Sequence, residues 1–421
     1  MLKYSKVSIL IGFLVCLHLS SVAQNSTTSP YTRAGYGVIA DRSFGAGRSM
    51  GGTGYGLRSN IQINPMNPAS YTSMDSLTFL FDVGATLQYS ILNDKTYSHS
   101  NISGNLLYLA MQFPLSRTVA MSAGILPYSH TGYNFKVLNS SDEVPHVDFF
   151  SGKGGLNEVY IGLSIDIWKK RLALGVNAGY LFGIIEHNST ISYYGESSVS
   201  PLYTLEKMNL RNFKYELGAQ YTQPLSKSER FIFGLTYSPK IKFSSISYIA
   251  LSSDAYFYSG LLKADTIYNQ GNDIPNSLGF GVSYEKDDKM ILAADISWQE
   301  WSKARFKGEK NNFNNRLKIA LGGEYIPNLY TRQFLNRVRY RVGVNYSNSY
   351  LQDRVYHSGY KEYGVTIGAG MPMIDNRSYI NLSFEYVKVV PEIKTLINEQ
   401  YFRFALSYTF NEFWFYKRRV E

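Results

Sequence analysis

The residues best placed to do chemistry are charged side chains at alternate positions in long, otherwise apolar stretches. Asp295, Lys318, Glu324, Arg339, Arg341, Glu385 and Arg403 each share a parity with small or polar neighbours. Along a strand one parity is one face, so these groups project to the same side of a sheet. Two chemistries fit. Lys318, Arg339 and Arg341 could hold the carboxylate of a bound amphiphile through charge-assisted hydrogen bonds. Alternatively, the set forms a salt-bridged interior. Catalysis has less support. His18 lies near the N-terminus, and His99, His130, His146, His187 and His357 are scattered without metal-ligand spacing. His146 beside Asp148 is the nearest approach, and a solvated loop explains it. There is no Gly-x-Ser-x-Gly elbow and no visible nucleophile, base and orienter set. No enzyme, cofactor or metal centre is expected.

Such positions require strands to hold them. From Leu77 onward the pattern has period two. Leu77, Phe79, Phe81, Val83, Ala85, Leu87 and Tyr89 share one face, and Thr78, Asp82, Gly84, Thr86 and Gln88 the other, with Leu80 as the exception. Near the C-terminus Phe402, Phe404, Leu406, Tyr408 and Phe410 alternate with Arg403, Ala405, Ser407 and Thr409. Similar segments lie near 104–113, 118–135, 155–167, 171–186, 206–222, 230–248, 276–285, 289–302, 314–326, 336–350, 360–371 and 377–390. With the two ends they make fourteen, and an even number suits a bacterial barrel. The connections alternate too. Short ones at 114–117, 168–170, 225–229, 285–289, 327–335 and 373–376 interleave with mostly longer ones at 91–103, 136–154, 187–205, 249–275, 303–313, 351–359 and 391–397. Short periplasmic turns and longer outer loops are the asymmetry of outer-membrane barrels. A soluble β-sandwich has no reason to alternate in this way. A cation facing lipid at mid-membrane costs roughly 2–4 kcal/mol, so the charged parity belongs to the lumen. The fold class is therefore an all-β, fourteen-stranded antiparallel transmembrane barrel over 77–410, with a short periplasmic tail at 411–421.

Composition agrees. Charged residues are 18%, below the roughly 25% of soluble domains, while aromatics reach 15% with 36 Tyr and 24 Phe. The net charge of +10 is spread along the chain with no basic run, so nucleic acid is not an expected partner. Membrane lipids, lipopolysaccharide and other outer-membrane proteins are. Residues 1–23 read as a cleaved signal peptide: Lys3 and Lys6, an apolar run from Val7 to Leu19, then Ser21-Val22-Ala23. Cys16, the one cysteine, lies in that apolar run. Val15 precedes it where lipidation needs a small residue, so the mature chain carries no thiol.

Residues 24–76 do not alternate. They are rich in Gly, Ser, Asn and Arg, yet Met50, Leu57, Ile61 and Ile63 recur at packing spacings. A plug folded into the lumen fits this better than a loose tail. Gly47-x-x-x-Gly51 lacks the Lys-Ser/Thr and the strand–helix context of a phosphate loop. Within the segment, Arg48-Ser49-Met50-Gly51-Gly52-Thr53-Gly54 and, just before strand one, Asn67-Pro68-Ala69 resemble the hatch of FadL-type long-chain fatty-acid transport barrels. Ala294–Ser302 and Arg341–Tyr346 resemble the same family. The resemblance implies a plug motif at Gly51, Gly52, Gly54, Asn67, Pro68 and Ala69. It also implies a lateral gate at a kink in strand three, where Gly124, Pro127 and Gly132 fall; proline cannot donate a ladder hydrogen bond. The greasy 249–268 stretch, with Leu251, Tyr256, Phe257, Leu261 and Leu262, would be an outer capture surface, or else a docking surface for protein. The function so implied is passive uptake of a hydrophobic small molecule across the outer membrane, captured by outer loops and released sideways into the bilayer. The other expectation is a structural or docking subunit of a larger outer-membrane machine.

Overall fold

The computed structural model describes residues 27–94, 98–140, 144–168, 171–194, 199–257, 260–310, 312–352, 359–374, 377–393 and 396–413. The expected signal peptide lies outside them. In chain order the strands are β1 (Val38–Ile39), β2 (Thr78–Asn93), β3 (Ser98–Pro114), β4 (Val119–Asn139), β5 (His146–Trp168), β6 (Leu172–Tyr193), β7 (Leu202–Pro224), β8 (Glu229–Ser238) and β9 (Ile241–Ser252). They continue as β10 (Leu261–Tyr268), β11 (Asn272–Ile274), β12 (Ser277–Lys286), β13 (Met290–Gln299), β14 (Arg316–Tyr325), β15 (Arg339–Asn348), β16 (Tyr360–Pro372), β17 (Tyr379–Pro391) and β18 (Asn398–Phe413). Two short helices are α1 (Gly45–Ser49) and α2 (Phe334–Arg337). All pairings are antiparallel, and β18 pairs with β2 from Asn398↔Asn93 to Phe413↔Thr78, closing the sheet. Strands β8 and β9 form one stave, because both pair with β7, and β10, β11 and β12 form the next, because β12 pairs with β8 and β10 and β11 pair with β9. The barrel therefore has fourteen staves.

The alternation works inside out. On β5, Val159, Ile161, Leu163, Ile165 and Ile167 are exposed on the outer wall, while Leu156, Glu158, Tyr160, Ser164 and Asp166 are buried. An apolar outer band against a polar lumen is what lipid demands. Leu80 is not a break in the pattern. It points inward and packs with Phe44, Ile63, Tyr71 and Met74 of the N-terminal segment.

Strands β5 and β7 are 23 residues long, whereas about 9–11 cross a membrane. The expected outer loops at 91–103, 136–154, 187–205 and 249–275 are accordingly shorter than the sequence suggests: β2, β4, β6 and β9 run on to Asn93, Asn139, Tyr193 and Ser252. Above the lipid, pairing continues to satisfy the backbone, but nothing selects for greasy side chains there, so the alternation fades. The 249–275 stretch in particular is not a loop. It is a projecting hairpin in which β10 pairs with β9 from Leu261↔Ser252 to Tyr268↔Ile246. At the other end β18 runs to Phe413, so the tail begins three residues later than 411.

Residues 27–76 fill the barrel. The chain starts near the long-strand end, passes through the middle and turns back at the short-turn end. Wall glycines let it approach. A side chain at Gly343 would meet the Gly51 nitrogen at 2.1 Å, and one at Gly234 would meet the Tyr55 carbonyl at 1.8 Å. Gly343→Ile should therefore loosen the plug without opening the barrel, at an overpacking cost of about 1–3 kcal/mol. Liposome-swelling rates for small sugars should rise in this variant. They should stay unchanged for Gly323→Ala, where the glycine's neighbour is the Leu292 side chain.

Candidate functional site

Two spaces, an outer vestibule and a central cavity, follow one another down the barrel. The outer vestibule has a volume of about 760 Å³ and is lined by Tyr31, Phe135, Phe150, Phe306 and Tyr360, with Arg33, His187 and Lys307 among them. That volume is within the range of ligand pockets. The Arg33 guanidinium stacks over Phe150 at 3.7 Å. Tyr36 and its aromatic neighbours form the floor. Tyr36 is fully buried, edge-on to Phe306 at 5.2 Å, beside Phe243 and Trp301. Trp301 stacks on Tyr350 at 4.2 Å. The Tyr350 hydroxyl accepts from the Tyr36 amide and donates to the Gly37 carbonyl. Gly35 and Gly37 both take left-handed φ, +60° and +84°. They let the chain thrust one ring into the floor and turn away.

Below the floor lies a central cavity of about 180 Å³. Its lining includes Tyr128, Arg316 and His130, and also Asn105 and Leu107 of β3 and Pro127 of β4. At this height the wall parts. β3 pairs with β4 only from Pro114↔Ala120 up to Leu109↔Ile125. Both strands bulge just above, β3 around Leu107 and β4 between Pro127 and Ser129. β1 takes the freed edge of β4, pairing Val38 with His130 and Ile39 with Ser129. The Ala40 amide adds a bond to the Tyr128 carbonyl at 2.9 Å, and the Gly132 amide donates to Thr32 Oγ1 at 3.1 Å. Gly124, Pro127 and Gly132 thus bracket the place where β3 leaves β4. Gly124 is the residue before the last paired one, Pro127 opens the bulge, and Gly132 is tied to the plug.

The plug motif fixes the plug to the wall. Asn67 is fully buried. Its side chain donates to the Tyr55 and Ala219 carbonyls and accepts from the Ala69 amide, which caps the 3₁₀ turn Pro68–Ser73. Ala69 accepts at its carbonyl from Ser164 of β5. Gly51 donates to Thr366, and Gly54 to Asp295 at 2.6 Å. At Gly52 an added side chain would meet Lys318 Nζ at 2.7 Å.

The three cations considered for a ligand carboxylate all have internal partners. Lys318 bridges to Asp41 of the plug at 2.6 Å, and Arg339 and Arg341 both bind Glu324 at 2.6 Å. Burial pushes the Asp41 carboxyl up, but Lys318 and Arg48 together outweigh it and hold the group below the usual carboxylate range. Three further plug cations are also paired: Arg42 to Glu216 (2.8 Å) and Glu158 (3.5 Å), Arg48 to Glu385 (3.3 Å), and Arg58 to Asp166 (2.8 Å). Sequence reading missed Arg42, Arg58, Glu158, Lys214 and Glu216. The strand members lie on the inward parity of β5 and β7, which is the signal that would have found them. It also missed Tyr36 as the floor. Arg316 stands apart. It lines the cavity, touches Ser347, and has no carboxylate within salt-bridge distance among the described residues.

The expected capture surface does not reach the vestibule. Leu251 lies in β9, Phe257 in its turn, and Leu261 and Leu262 in β10, with Tyr256, Leu261 and Leu262 exposed on the projecting hairpin. Vestibule walls come instead from Tyr31 and the tops of β4, β5 and β16. Of the histidines, His146 contacts Asp148 at 3.7 Å, and no cluster of metal-ligating side chains occurs among the described residues; His357 lies outside them.

A plugged cylinder of fourteen staves, parted beside its third, is the FadL-type outer-membrane barrel fold. Solved structures share it. A FadL homologue of Pseudomonas aeruginosa superposes with a TM-score of 0.59 at 15% identity, over 89% of this chain and 99% of that one. The Ralstonia pickettii toluene transporter TbuX gives 0.57 at 15%, over 88% and 98%. The Pseudomonas putida toluene transporter TodX gives 0.56 at 14%, over 89% and 99%. No curated protein sequence matches. The chain belongs to the BamG family, whose model matches residues 1–421.

Removing one member of a buried ion pair strands the other, at a cost of about 3–5 kcal/mol. Glu324→Ala strands both Arg339 and Arg341 and should lower the unfolding free energy of the reconstituted barrel, read from urea titration, by an amount of that order. Lys318→Met should instead release the plug, raising small-solute leakage while the barrel stays folded on gels.

Proposed function

We propose that the protein passes a hydrophobic small molecule across the outer membrane without an energy source. The ligand enters the aromatic vestibule, moves past Tyr36 and leaves sideways into the bilayer where β3 parts from β4. The parting carries this reading, because the gap in the wall lies at the height of the central cavity, which Asn105 and Leu107 of β3 and Pro127 of β4 line. A side exit spares an apolar ligand an aqueous passage and the poorly permeable lipopolysaccharide leaflet. The shared fold with two toluene transporters supports the general class.

Within that class the chain's own residues favour an amphiphile, such as a long-chain fatty acid, over a bare hydrocarbon. The central cavity is small and mostly polar-lined, with Arg316 as its cation lacking an internal carboxylate. A head group fits there and a tail does not, so the tail would lie in the parting between Leu107 and Pro127.

One observation favours the second reading, a structural or docking subunit. The lumen is closed by the Tyr36 floor and by a plug whose Asp41, Arg42, Arg48 and Arg58 are paired to the wall, so transport requires the floor to move. The two readings separate on purification. A fatty acid bound to a solitary barrel supports transport, and a stoichiometric protein partner with an empty barrel supports the subunit role.

Tyr36→Ala should join vestibule and cavity and speed uptake of oleate into cells severalfold; unchanged uptake would remove Tyr36 from the route. Arg316→Ala should weaken oleate binding by about tenfold, the worth of a charge-assisted contact near 1.4 kcal/mol, and leave toluene binding unaltered. Equal effects on both ligands would contradict a head-group role.

A further inference from the structure

The outer face of the wall carries a cluster of charge that the transport reading does not use. Along β7 the outward parity runs Arg211, Phe213, Tyr215 and Leu217, all exposed. On the adjoining stave it runs Phe233, Leu235 and Tyr237 of β8, then Lys242 and Ser244 of β9, again all exposed. Two cations thus stand directly above a greasy band. Arg211 is opposite Ser244, and Lys242 lies one step down the same face, where the Asn212 side chain donates to its carbonyl. Such diagonal neighbours are within reach of each other's long side chains. On its other side Arg211 is opposite Phe182 of β6, and Tyr180 packs on Phe213 at 5.2 Å.

The turn below fixes the height of the cluster. About 9–11 residues of a tilted strand cross the hydrocarbon, and counted up from Pro224 at the foot of β7 they end next to Phe213. Arg211 and Lys242 therefore lie where hydrocarbon gives way to head groups, the level at which interfacial aromatics sit. Nearby carboxylates are already engaged, Glu186 with Lys153, Glu206 with Lys307 and Asp273 with Lys240, and among the described residues neither Arg211 nor Lys242 has one within salt-bridge distance. Asp265 is opposite Ile249, on the other parity and farther up the hairpin. The feature is local, because the outward positions of β14 and β15 carry no lysine or arginine at any height.

An anion that meets this pair belongs either to a lipid head group or to a protein. Position favours lipid. Head groups adjoin the wall at that level, and the greasy band below the cations is where their acyl chains lie. We propose that Arg211 and Lys242 bind a phosphate of an outer-leaflet lipopolysaccharide molecule, whose acyl chains run down over Phe213, Tyr215 and Leu217. Arginine takes two phosphate oxygens through its planar fork, and lysine adds a point charge. The site shares no residue with the vestibule, the central cavity or the β3–β4 parting, so it stands or falls separately from the transport reading.

The test uses the full chain in mild detergent, titrated with lipid A, the phosphate-bearing anchor of lipopolysaccharide, and read by native mass spectrometry. The expected result is one lipid A retained per barrel. Combining Arg211→Gln with Lys242→Gln should weaken it about thirtyfold, the worth of two cations at a membrane surface. Combining Arg211→Lys with Lys242→Arg should keep most of the affinity. Lys361→Gln, which removes an exposed cation of β16 beside Glu392, should leave binding unaltered. Lipid A stripped of its phosphates should bind the native chain no better than intact lipid A binds the double glutamine variant, and inorganic phosphate at physiological concentration should not displace lipid A. These changes are on the exposed wall and leave the barrel folded, which heat-dependent gel migration verifies. Undiminished binding by the double glutamine variant, indifference to the lipid's phosphates, displacement by inorganic phosphate, or an equal loss in Lys361→Gln would each overturn the proposal.

Discussion

A backbone amide in lipid must find a partner within the protein, because the bilayer core offers none. Most of this architecture follows from that constraint. Strands pair all round until β18 meets β2, and the sheet has no free edge across most of its height. Where β3 departs from β4 the rule would be broken, and the plug meets it on one side. β1, Ala40 and Thr32 take up the freed edge of β4. The plug is therefore part of the wall as well as a stopper in it. Any movement that frees the plug also frees an edge beside the bilayer.

That coupling gives the interior its meaning. Ion pairs between plug and wall are costly to bury and contribute little net stability, but removing one partner is severe. They are better understood as specifying one seating of a glycine-rich segment that has little core of its own. Asp295 receives the Gly54 and Tyr55 amides, Glu216 and Glu158 receive Arg42, and Lys318 receives Asp41. The seating places Tyr36 in the aromatic floor and leaves the small cavity beside the parting. Among the Lys and Arg side chains lining that cavity, Arg316 is exceptional in having no carboxylate within salt-bridge distance among the described residues.

Much of the fold was legible because lipid imposes a strict alternation. Val159 to Ile167 on β5 and Phe81 to Tyr89 on β2 show it without ambiguity, and the stave count and turn order follow. Legibility failed where lipid stops acting. The upper thirds of β4 to β7 read as loops, and the β9–β10 hairpin read as a greasy loop at the vestibule when it projects away from it. The site was partly legible. Alternation assigned Lys318, Arg339 and Arg341 to the interior, and the family resemblance drew attention to Pro127 and Asn67. Partners were not legible. Period two says which way a side chain points but not which strand or plug residue it meets. Glu324 was thus visible as a luminal acid and invisible as the acceptor of two arginines.

The central claim is that the gap between β3 and β4 is the exit. Crystals of the reconstituted barrel soaked with a fatty acid brominated near its methyl end would test it most directly. The account predicts anomalous bromine density in the parting between Leu107 and Pro127, with the carboxylate toward Arg316. Bromine confined to the vestibule above Tyr36, or scattered on the outer wall, would contradict it.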